Sequence, residues 1–209
     1  MTLRLNFLRR TEIGPASLTV KDIKLGKQIF TIHVRLSQNG RDEVVAYITQ
    51  TNFYSEKGIT LPTEWDLYPQ PYPVDVTKLK AGLDIEWKET PDKYPDFRKG
   101  SLQVHYFFLS KGQLRRRLCD EWVCLSNGEN FTNESIGLMA DLWPHVIDNY
   151  RGYKFSHNTG SIFGIDLSSQ TAPLWYPTIA LSLDMKKLLP KEVVEWLFVP
   201  VEKKQIKNG

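Results

Sequence analysis

The sequence predicts an α+β protein in which antiparallel strands surround one long helix. The helix is predicted over residues 133–151, where apolar side chains recur at three- and four-residue steps and therefore share one face. Much of the remaining chain alternates apolar and polar residues, as strands with one buried face do. Asn39-Gly40, between two such runs, is a strong hairpin signal. One amphipathic helix among antiparallel strands is therefore the expected fold class.

Residues 1–53 predict a four-stranded antiparallel meander with no helix of its own. The alternating runs begin near Leu3, Ser17, Phe30 and Val44. The alternation slips once before Ile23, where we expect a bulge or a strand end. This segment is interpreted as the strands of a first structural half.

Residues 54–100 differ in composition, because they contain six of the twelve prolines. Proline interrupts a sheet, so this segment predicts an extended connector that lies over the surface and not a sheet. Residues 101–209 then predict a second half, with strands before the helix and two more strands after it. Pro200 falls inside the last of these, which predicts an edge strand or a bulge there.

Composition and charge exclude several classes of function. The net charge of +3 gives no reason to expect nucleic-acid binding. No run approaches the roughly 20 apolar residues that a membrane helix needs, so no membrane span is expected. The first ten residues are too short and too charged for a signal peptide, and the C-terminus is not a peroxisomal signal. A cytoplasmic protein is the default expectation.

Cysteines and histidines give no sign of a metal centre. Cys119 and Cys124 are five residues apart in a predicted strand, which places them on opposite faces and makes a disulfide between them geometrically unfavourable. The four histidines are scattered along the chain, without the spacing of a zinc site. No metal and no cofactor are expected.

Asp141 and Pro144 are the two residues of the predicted helix that do not fit a plain core helix. Asp is a poor helix former and a buried carboxylate is costly, while Pro144 should kink the helix or end its first segment just after Asp141. A functional site is one interpretation of this pair, and a carboxylate that faces solvent is the other.

An internal repeat links the two ends of the chain. The segment from Leu3 to Arg10 matches the segment from Ile179 to Lys187 in its apolar alternation and its closing basic pair. The two copies lie roughly 175 residues apart, which favours two related halves over a solenoid. Completing the repeat requires about a helix and a strand before Met1 and two strands after Gly209. Coincidental similarity between strands is the alternative.

Several motifs together resemble the double-hotdog acyl-CoA thioesterase-like family, in its fungal branch. The motifs are Phe7-Leu-Arg-Arg-Thr-Glu-Ile-Gly-Pro15, Phe131-Thr-Asn-Glu-Ser135, Ala140-Asp-Leu-Trp-Pro144, Trp175-Tyr-Pro-Thr178, Glu195-Trp-Leu-Phe198 and Lys204-Gln-Ile-Lys-Asn-Gly209. The resemblance covers nearly the whole chain. It implies a hotdog fold, in which a curved antiparallel sheet wraps one long central helix, here incomplete relative to the full double hotdog.

The resemblance also implies hydrolysis of acyl thioesters by direct attack of water. The related type II thioesterases use an Asp, a Thr and a Gln, and by motif Asp141 matches the Asp and Thr178 the Thr. The position of the Gln would fall beyond Gly209, and the helix of the first half is missing too, so a shortened homologue or a fragment is expected. The candidate substrate-binding residues are Trp143, His145, Trp175 and Ser182. His145 follows Asp141 by one helical turn, which would place the two side by side, and a surface or capping histidine is the alternative.

Three classes of function remain open from the sequence. The first is a thioester hydrolase that acts on an acyl-CoA or on a carrier-bound acyl or polyketide chain, including an enzyme of fungal secondary metabolism. The second is a non-catalytic hotdog that binds acyl groups or serves as a scaffold. In either case we expect a homo-oligomer through open sheet edges. A lipocalin-like carrier is the third, but the connector and the central helix disfavour it.

Overall fold

The computed structural model describes residues 1–55, 58–59, 61–92, 95–115, 117–142 and 177–204. The chain divides into two compact units. Unit 1 comprises Met1–Thr63 and Tyr176–Leu189, and unit 2 comprises Glu64–Trp175 and Pro190–Gly209. Within the described ranges, no helix has the length and apolar character that crossing a membrane would require.

Unit 1 contains a five-stranded antiparallel sheet with the strand order β2-β3-β4-β1-β8. Strands are numbered along the chain, and those of unit 1 are β1 (Thr2–Phe7), β2 (Ser17–Lys24), β3 (Ile29–Gln38), β4 (Arg41–Thr51) and β8 (Ala180–Asp184). The four strands predicted in residues 1–53 are present, but the predicted order of a meander is wrong for β1, which pairs with β4 and not with β2. The fifth strand comes from the distant C-terminal part of the chain.

The turn and the irregularity predicted in unit 1 are both confirmed. Asn39 and Gly40 connect β3 to β4 with φ of 51° and 74°, the left-handed conformations that a two-residue type I′ hairpin requires. The register between β2 and β3 shifts between Asp22 and Lys24, where the alternation of the sequence slips. Local sequence therefore specifies the register of β2, β3 and β4.

The pairing of β1 with β8 fits the internal repeat. Leu5 lies opposite Leu181, and these two residues are equivalent when Leu3 is aligned with Ile179. Phe7 N donates to Ile179 O at 2.9 Å and Met185 N to Met1 O at 2.9 Å, so the ladder extends beyond both ends of β8. The two repeated strands thus pair antiparallel about a local two-fold at Leu5 and Leu181.

Unit 2 contains a four-stranded antiparallel sheet with the order β5-β6-β7-β9. Its elements are α1 (Val76–Lys80), β5 (Trp87–Glu89), a 3₁₀ helix (Lys99–Gln103), β6 (Val104–Leu109), β7 (Leu118–Leu125), α2 (Ile136–Asp141) and β9 (Leu197–Glu202). Pro200 lies in β9, which is an end strand of this sheet among the described residues, as its lack of an amide N–H predicts.

One face of this sheet packs in an aromatic core. Leu79 of α1 is almost fully buried with Trp87, Phe107 and Leu109. Trp122, Trp196 and Phe198 pack around this cluster, with Trp122 and Phe198 at a ring-centroid distance of 5.3 Å. The Trp87 indole donates to Pro73 O at 3.3 Å, which ties the proline-rich segment to the sheet.

Two predicted elements differ from what the structure describes. The segment 54–100 was expected to be an extended connector without a sheet, but it supplies α1 and β5. The physical reason is that Leu79 and Trp87 bury their apolar side chains in a core, which a connector on the surface would leave exposed. In the predicted helix 133–151, α2 covers Ile136–Asp141, and residues 143–151 lie outside the described residues. A long central helix is therefore not shown.

Candidate active site

Asp141 is the last residue of α2, and the end of this helical segment follows from the sequence. Leu142 has φ −91° and ψ 73°, which is not helical, so the segment stops just after Asp141, as the nearby Pro144 predicted. Met139 is buried and Leu138 is half exposed, so α2 presents its predicted apolar face to the protein. Asp141 itself is half-buried, and a carboxylate at such a position can exchange a proton with a bound water.

The start of α2 is held by a local turn. Thr132 N donates to Ser135 Oγ at 3.0 Å, and Ser135 Oγ donates to Thr132 O at 2.9 Å. The Thr132 side chain also lowers the pKa of the exposed Glu134 carboxyl. This turn fixes where the helix begins.

The 3₁₀ helix approaches the same helix end closely. A Cβ added at Gly100 would lie 3.3 Å from Leu142 Cδ1, which leaves little room for a larger residue. Gly100 therefore permits the close packing of the residue that follows Asp141.

Thr178 and Ser182 belong to unit 1, whereas Asp141 belongs to unit 2. Thr178 is half-buried and lies two residues before β8. Ser182 lies within β8, is exposed, and accepts a hydrogen bond from Arg4 Nη1 at 3.2 Å. The alternation predicted for this strand is confirmed at Leu181 and Leu183, which are less exposed than Ser182.

The other three predicted site residues, Trp143, His145 and Trp175, lie outside the described residues. Their roles stay predictions. Within the described ranges, no group of three or more His, Cys, Asp or Glu side chains is arranged to hold a metal ion.

Glu121 is a buried carboxyl that the sequence analysis did not select. It lies in β7 at 0% exposure, and both of its oxygens lack a hydrogen-bond partner in the described part of the chain. Burial raises the pKa of Glu121 well above its ordinary value, because apolar surroundings disfavour the charged form of a carboxyl group. The strand pattern contains the signal, since Glu121 shares its face with Cys119 and Val123, both of which are apolar.

Two other groups on the same sheet face titrate unusually for the same reason. Burial, and then the nearby Glu121, raise the pKa values of Tyr106 and Cys119. On the opposite face, burial raises the pKa of Cys124 to about 11. Cys119 and Cys124 are not joined by a disulfide, as predicted, and thiols with raised pKa values are poor nucleophiles.

Comparison with known proteins identifies the family. The model of the acyl-CoA thioesterase C-terminal domain matches residues 78–209, and that of the acyl-CoA thioesterase N-terminal domain matches residues 1–51. A thioesterase-like protein of Talaromyces wortmannii, TwmA, is 30% identical over 239 aligned residues, which cover 100% of this chain and 69% of that protein.

Solved structures agree on the fold. A thioesterase II candidate from Thermobifida fusca superposes with a TM-score of 0.64 at 16% identity, covering 100% of this chain and 69% of its own. A thioesterase candidate from Novosphingobium aromaticivorans gives 0.65 at 15% identity, with 99% and 68% covered. A hotdog-fold protein from Alicyclobacillus acidocaldarius gives 0.61 at 10% identity, with 100% and 68% covered. These likenesses show a hotdog-type fold, and the two domain matches show that the chain belongs to the acyl-CoA thioesterase family.

Proposed function

We propose that this protein hydrolyses acyl thioesters, of coenzyme A or of a carrier protein, with Asp141 as the general base. The observation that carries the proposal is the half-buried Asp141 at the end of α2, inside the segment that matches the thioesterase C-terminal domain. A carboxylate that is neither fully exposed nor fully buried can accept a proton from water and release it again.

The proposed reaction needs one water and no covalent enzyme intermediate. The water oxygen bonds to the thioester carbonyl carbon while Asp141 accepts the water proton, and the Thr178 hydroxyl orients the water. The carbon–sulfur bond then breaks, and the departing thiolate takes up the proton that Asp141 accepted, which regenerates the carboxylate. The products are a carboxylic acid and a thiol. Trp143, His145, Trp175 and Ser182 are proposed to bind the substrate.

Removal of the Asp141 carboxylate tests this proposal. We expect Asp141→Asn to lower kcat on medium- and long-chain acyl-CoAs by about 10²- to 10⁴-fold, the usual contribution of general base catalysis. Thiol release from the purified chain measures the rate. Glu134→Gln is the matched control, because it removes an exposed carboxylate two residues before α2 and should leave the rate unchanged.

The role of Thr178 is tested by combining variants. Thr178→Val should lower kcat on the order of 10- to 100-fold if the hydroxyl positions the water. If both side chains act on the same water, the double variant with Asp141→Asn should lose little more than Asp141→Asn alone. Full activity in Asp141→Asn would show that another group is the base.

A non-catalytic acyl-binding protein is the second candidate. A chain that co-purifies with an acyl ligand, yet releases no thiol above the rate of Asp141→Asn, would establish this alternative. A polyketide thioester of fungal secondary metabolism, tried beside acyl-CoAs, distinguishes the acyl classes.

We also propose that the protein forms a homo-oligomer through open edges of the sheet in unit 1. Every residue of β2 is exposed, including the apolar Leu18 and Val20. In the described part of the chain, β8 pairs with β1 and has no second neighbour. Exposed strand edges with apolar residues favour pairing with another strand.

A further inference from the structure

One face of the sheet in unit 1 carries a row of polar side chains that crosses all five strands. In the strand registers, Lys21 lies opposite His33, His33 opposite Tyr47, and Tyr47 opposite Arg4. Arg4 in turn lies opposite Ser182. We call these five residues the cross-strand row.

An aromatic pair occupies the centre of the cross-strand row. The rings of His33 and Tyr47 stack with centroids 4.7 Å apart and planes inclined by 28°. Tyr47 is 52% exposed, so about half of its side chain is accessible to a ligand. The stack with His33 fixes the position of the Tyr47 ring, whose exposed part can contact a ligand.

Two cations lie on either side of this aromatic pair. Neighbouring strands are about 4.8 Å apart, so the backbones of Lys21 and Arg4 are separated by about 14 Å with the rings between them. Both residues are exposed, and neither forms an ion pair in the described part of the chain. Arg4 donates to the Ser182 hydroxyl, which holds its guanidinium at the surface of the sheet.

The carboxylates of the same surface already have cationic partners. Asp42 lies 3.5 Å from Arg35, and Asp184 lies 3.9 Å from Lys186. The pKa of Asp42 is lowered by the Ser37 hydroxyl and then by Arg35, and that of Asp184 by Thr2 and then by Lys186, with a smaller contribution from Arg4. The centre of the row therefore keeps a positive charge that a polyanion can complement.

We propose that the cross-strand row binds the nucleotide end of coenzyme A, with the adenine stacked on Tyr47 and the phosphates held by Lys21 and Arg4. Coenzyme A carries a 3′-phosphate and a 5′-diphosphate on the ribose beside its adenine. An aromatic surface flanked by two cations suits this arrangement of a flat base between phosphate groups. The inference rests on the proposed function, and it selects coenzyme A over a carrier protein as the carrier of the acyl group.

Direct binding tests the row without any need for catalysis. The probe is adenosine 3′,5′-bisphosphate, titrated by calorimetry into the full chain. We expect Tyr47→Val to weaken binding about 10-fold through lost stacking, and Tyr47→Phe, which keeps the ring, to preserve it. Arg4→Gln and Lys21→Gln should each weaken binding about five-fold, and added salt should reduce those differences.

Arg41→Gln is the control for net charge. It removes one cation from the same strand as Tyr47, six residues and about 20 Å away, and should leave the affinity unchanged. Circular dichroism of Tyr47→Val checks that the sheet persists. The proposal is overturned if the probe does not bind saturably, if Tyr47→Val binds as tightly as the native chain, or if Arg41→Gln weakens binding as much as Arg4→Gln does.

Substrate comparison separates this proposal from the proposed function. Tyr47→Val should raise KM for an acyl-CoA, with kcat unchanged, and should not alter the hydrolysis of the same acyl group on pantetheine, which lacks the nucleotide. If thioesters are hydrolysed but Tyr47→Val changes KM equally for the acyl-CoA and for the acyl-pantetheine, the proposed nucleotide site is wrong and the proposed hydrolase activity stands. If no thioester is hydrolysed but the bisphosphate binds as expected, the nucleotide site stands and the hydrolase is wrong.

Discussion

The carboxyl groups of Asp141 and Glu121 lie in different surroundings within unit 2, and this decides their chemistry. Asp141 is half-buried at a helix end, where water can reach it. Glu121 is fully buried in a strand, and burial raises its pKa well above 4.5. A base must be ionised before it can accept a proton, and burial disfavours the ionised form of Glu121, so Glu121 is a poor candidate for activating water.

Glu121 makes the stability of the chain depend on pH in a defined direction. The unfolded chain ionises this carboxyl near its ordinary value, whereas the folded protein keeps it neutral up to the raised value. The unfolded state is therefore increasingly favoured as the pH rises through this interval, by up to about 1.4 kcal/mol per pH unit. The contribution of Glu121 to the free energy of unfolding is therefore largest below the ordinary pKa of a glutamate, and it decreases as the pH rises above that value.

We expect Glu121→Gln to make the free energy of unfolding depend less strongly on pH. In the range above the ordinary pKa of a glutamate, the free energy of unfolding of this variant should fall less steeply with pH than that of the native chain. Some slope should remain, because burial also raises the pKa of Asp120. Tyr106 and Cys119, whose pKa values are raised, titrate far above the ordinary pKa of a glutamate. Urea denaturation at several pH values provides the measurement.

Glu129→Gln is the matched control, since it removes an exposed carboxylate in the turn after β7. Its slope should equal that of the native chain. Identical slopes for Glu121→Gln and the native chain would mean that the Glu121 carboxyl is ionised in the folded protein.

At the scale of single elements, α1 shows how packing decides structure where local sequence does not. Five residues are too few to form a stable helix alone. Asp75 caps the first turn, accepting from Thr77 N at 3.1 Å and from Lys78 N at 3.4 Å. Leu79 then buries its side chain in the core with Trp87. The sequence did not predict this helix, because one buried residue within five establishes no periodicity.

The other elements show where the sequence was sufficient. The β3–β4 hairpin and the bulge in β2 were predictable because Asn39-Gly40 and the slip of alternation act locally. The burial of Glu121 depends on pairing with β6 and β9, strands that are distant in the chain from each other. The end of the helical segment at Asp141 was predictable from the helical pattern and from Pro144. What Thr178 contacts is not a local property, so its role came from family resemblance.

Truncation of Leu79 tests whether packing holds α1. We expect Leu79→Ala to lower the free energy of unfolding by about 2–4 kcal/mol, as for other buried leucines. Val76→Ala in the same helix is the matched control, because Val76 is 39% exposed and should cost less than about 1 kcal/mol. Urea denaturation followed by tryptophan fluorescence measures both. Equal losses would show that helix propensity, not burial, dominates this element.

At the scale of the whole chain, the antiparallel pairing of β1 with β8 joins segments that the sequence assigned to different halves. The ladder bonds at Phe7–Ile179 and Met1–Met185 identify the odd-numbered residues of β8 as those bonded to β1. The amide groups of Ala180, Ser182 and Asp184 therefore point to the other side, which is the open edge of β8 in the described part of the chain.

This geometry allows the two open edges of unit 1 to be tested separately. A proline at Ala180 removes an amide donor of the open edge but no bond to β1, so Ala180→Pro should leave the fold intact and dissociate an oligomer that pairs through β8. Val20→Lys places a charge on the exposed β2 edge and should dissociate one that pairs through β2. Leu181→Pro interrupts the β1 ladder and should destabilise the protein itself.

Sedimentation velocity gives the oligomeric state, and we expect one of the two edge variants to convert a dimer into monomers. A native chain that is monomeric at all concentrations, or a dimer that survives both edge variants, would exclude edge pairing as the mode of assembly.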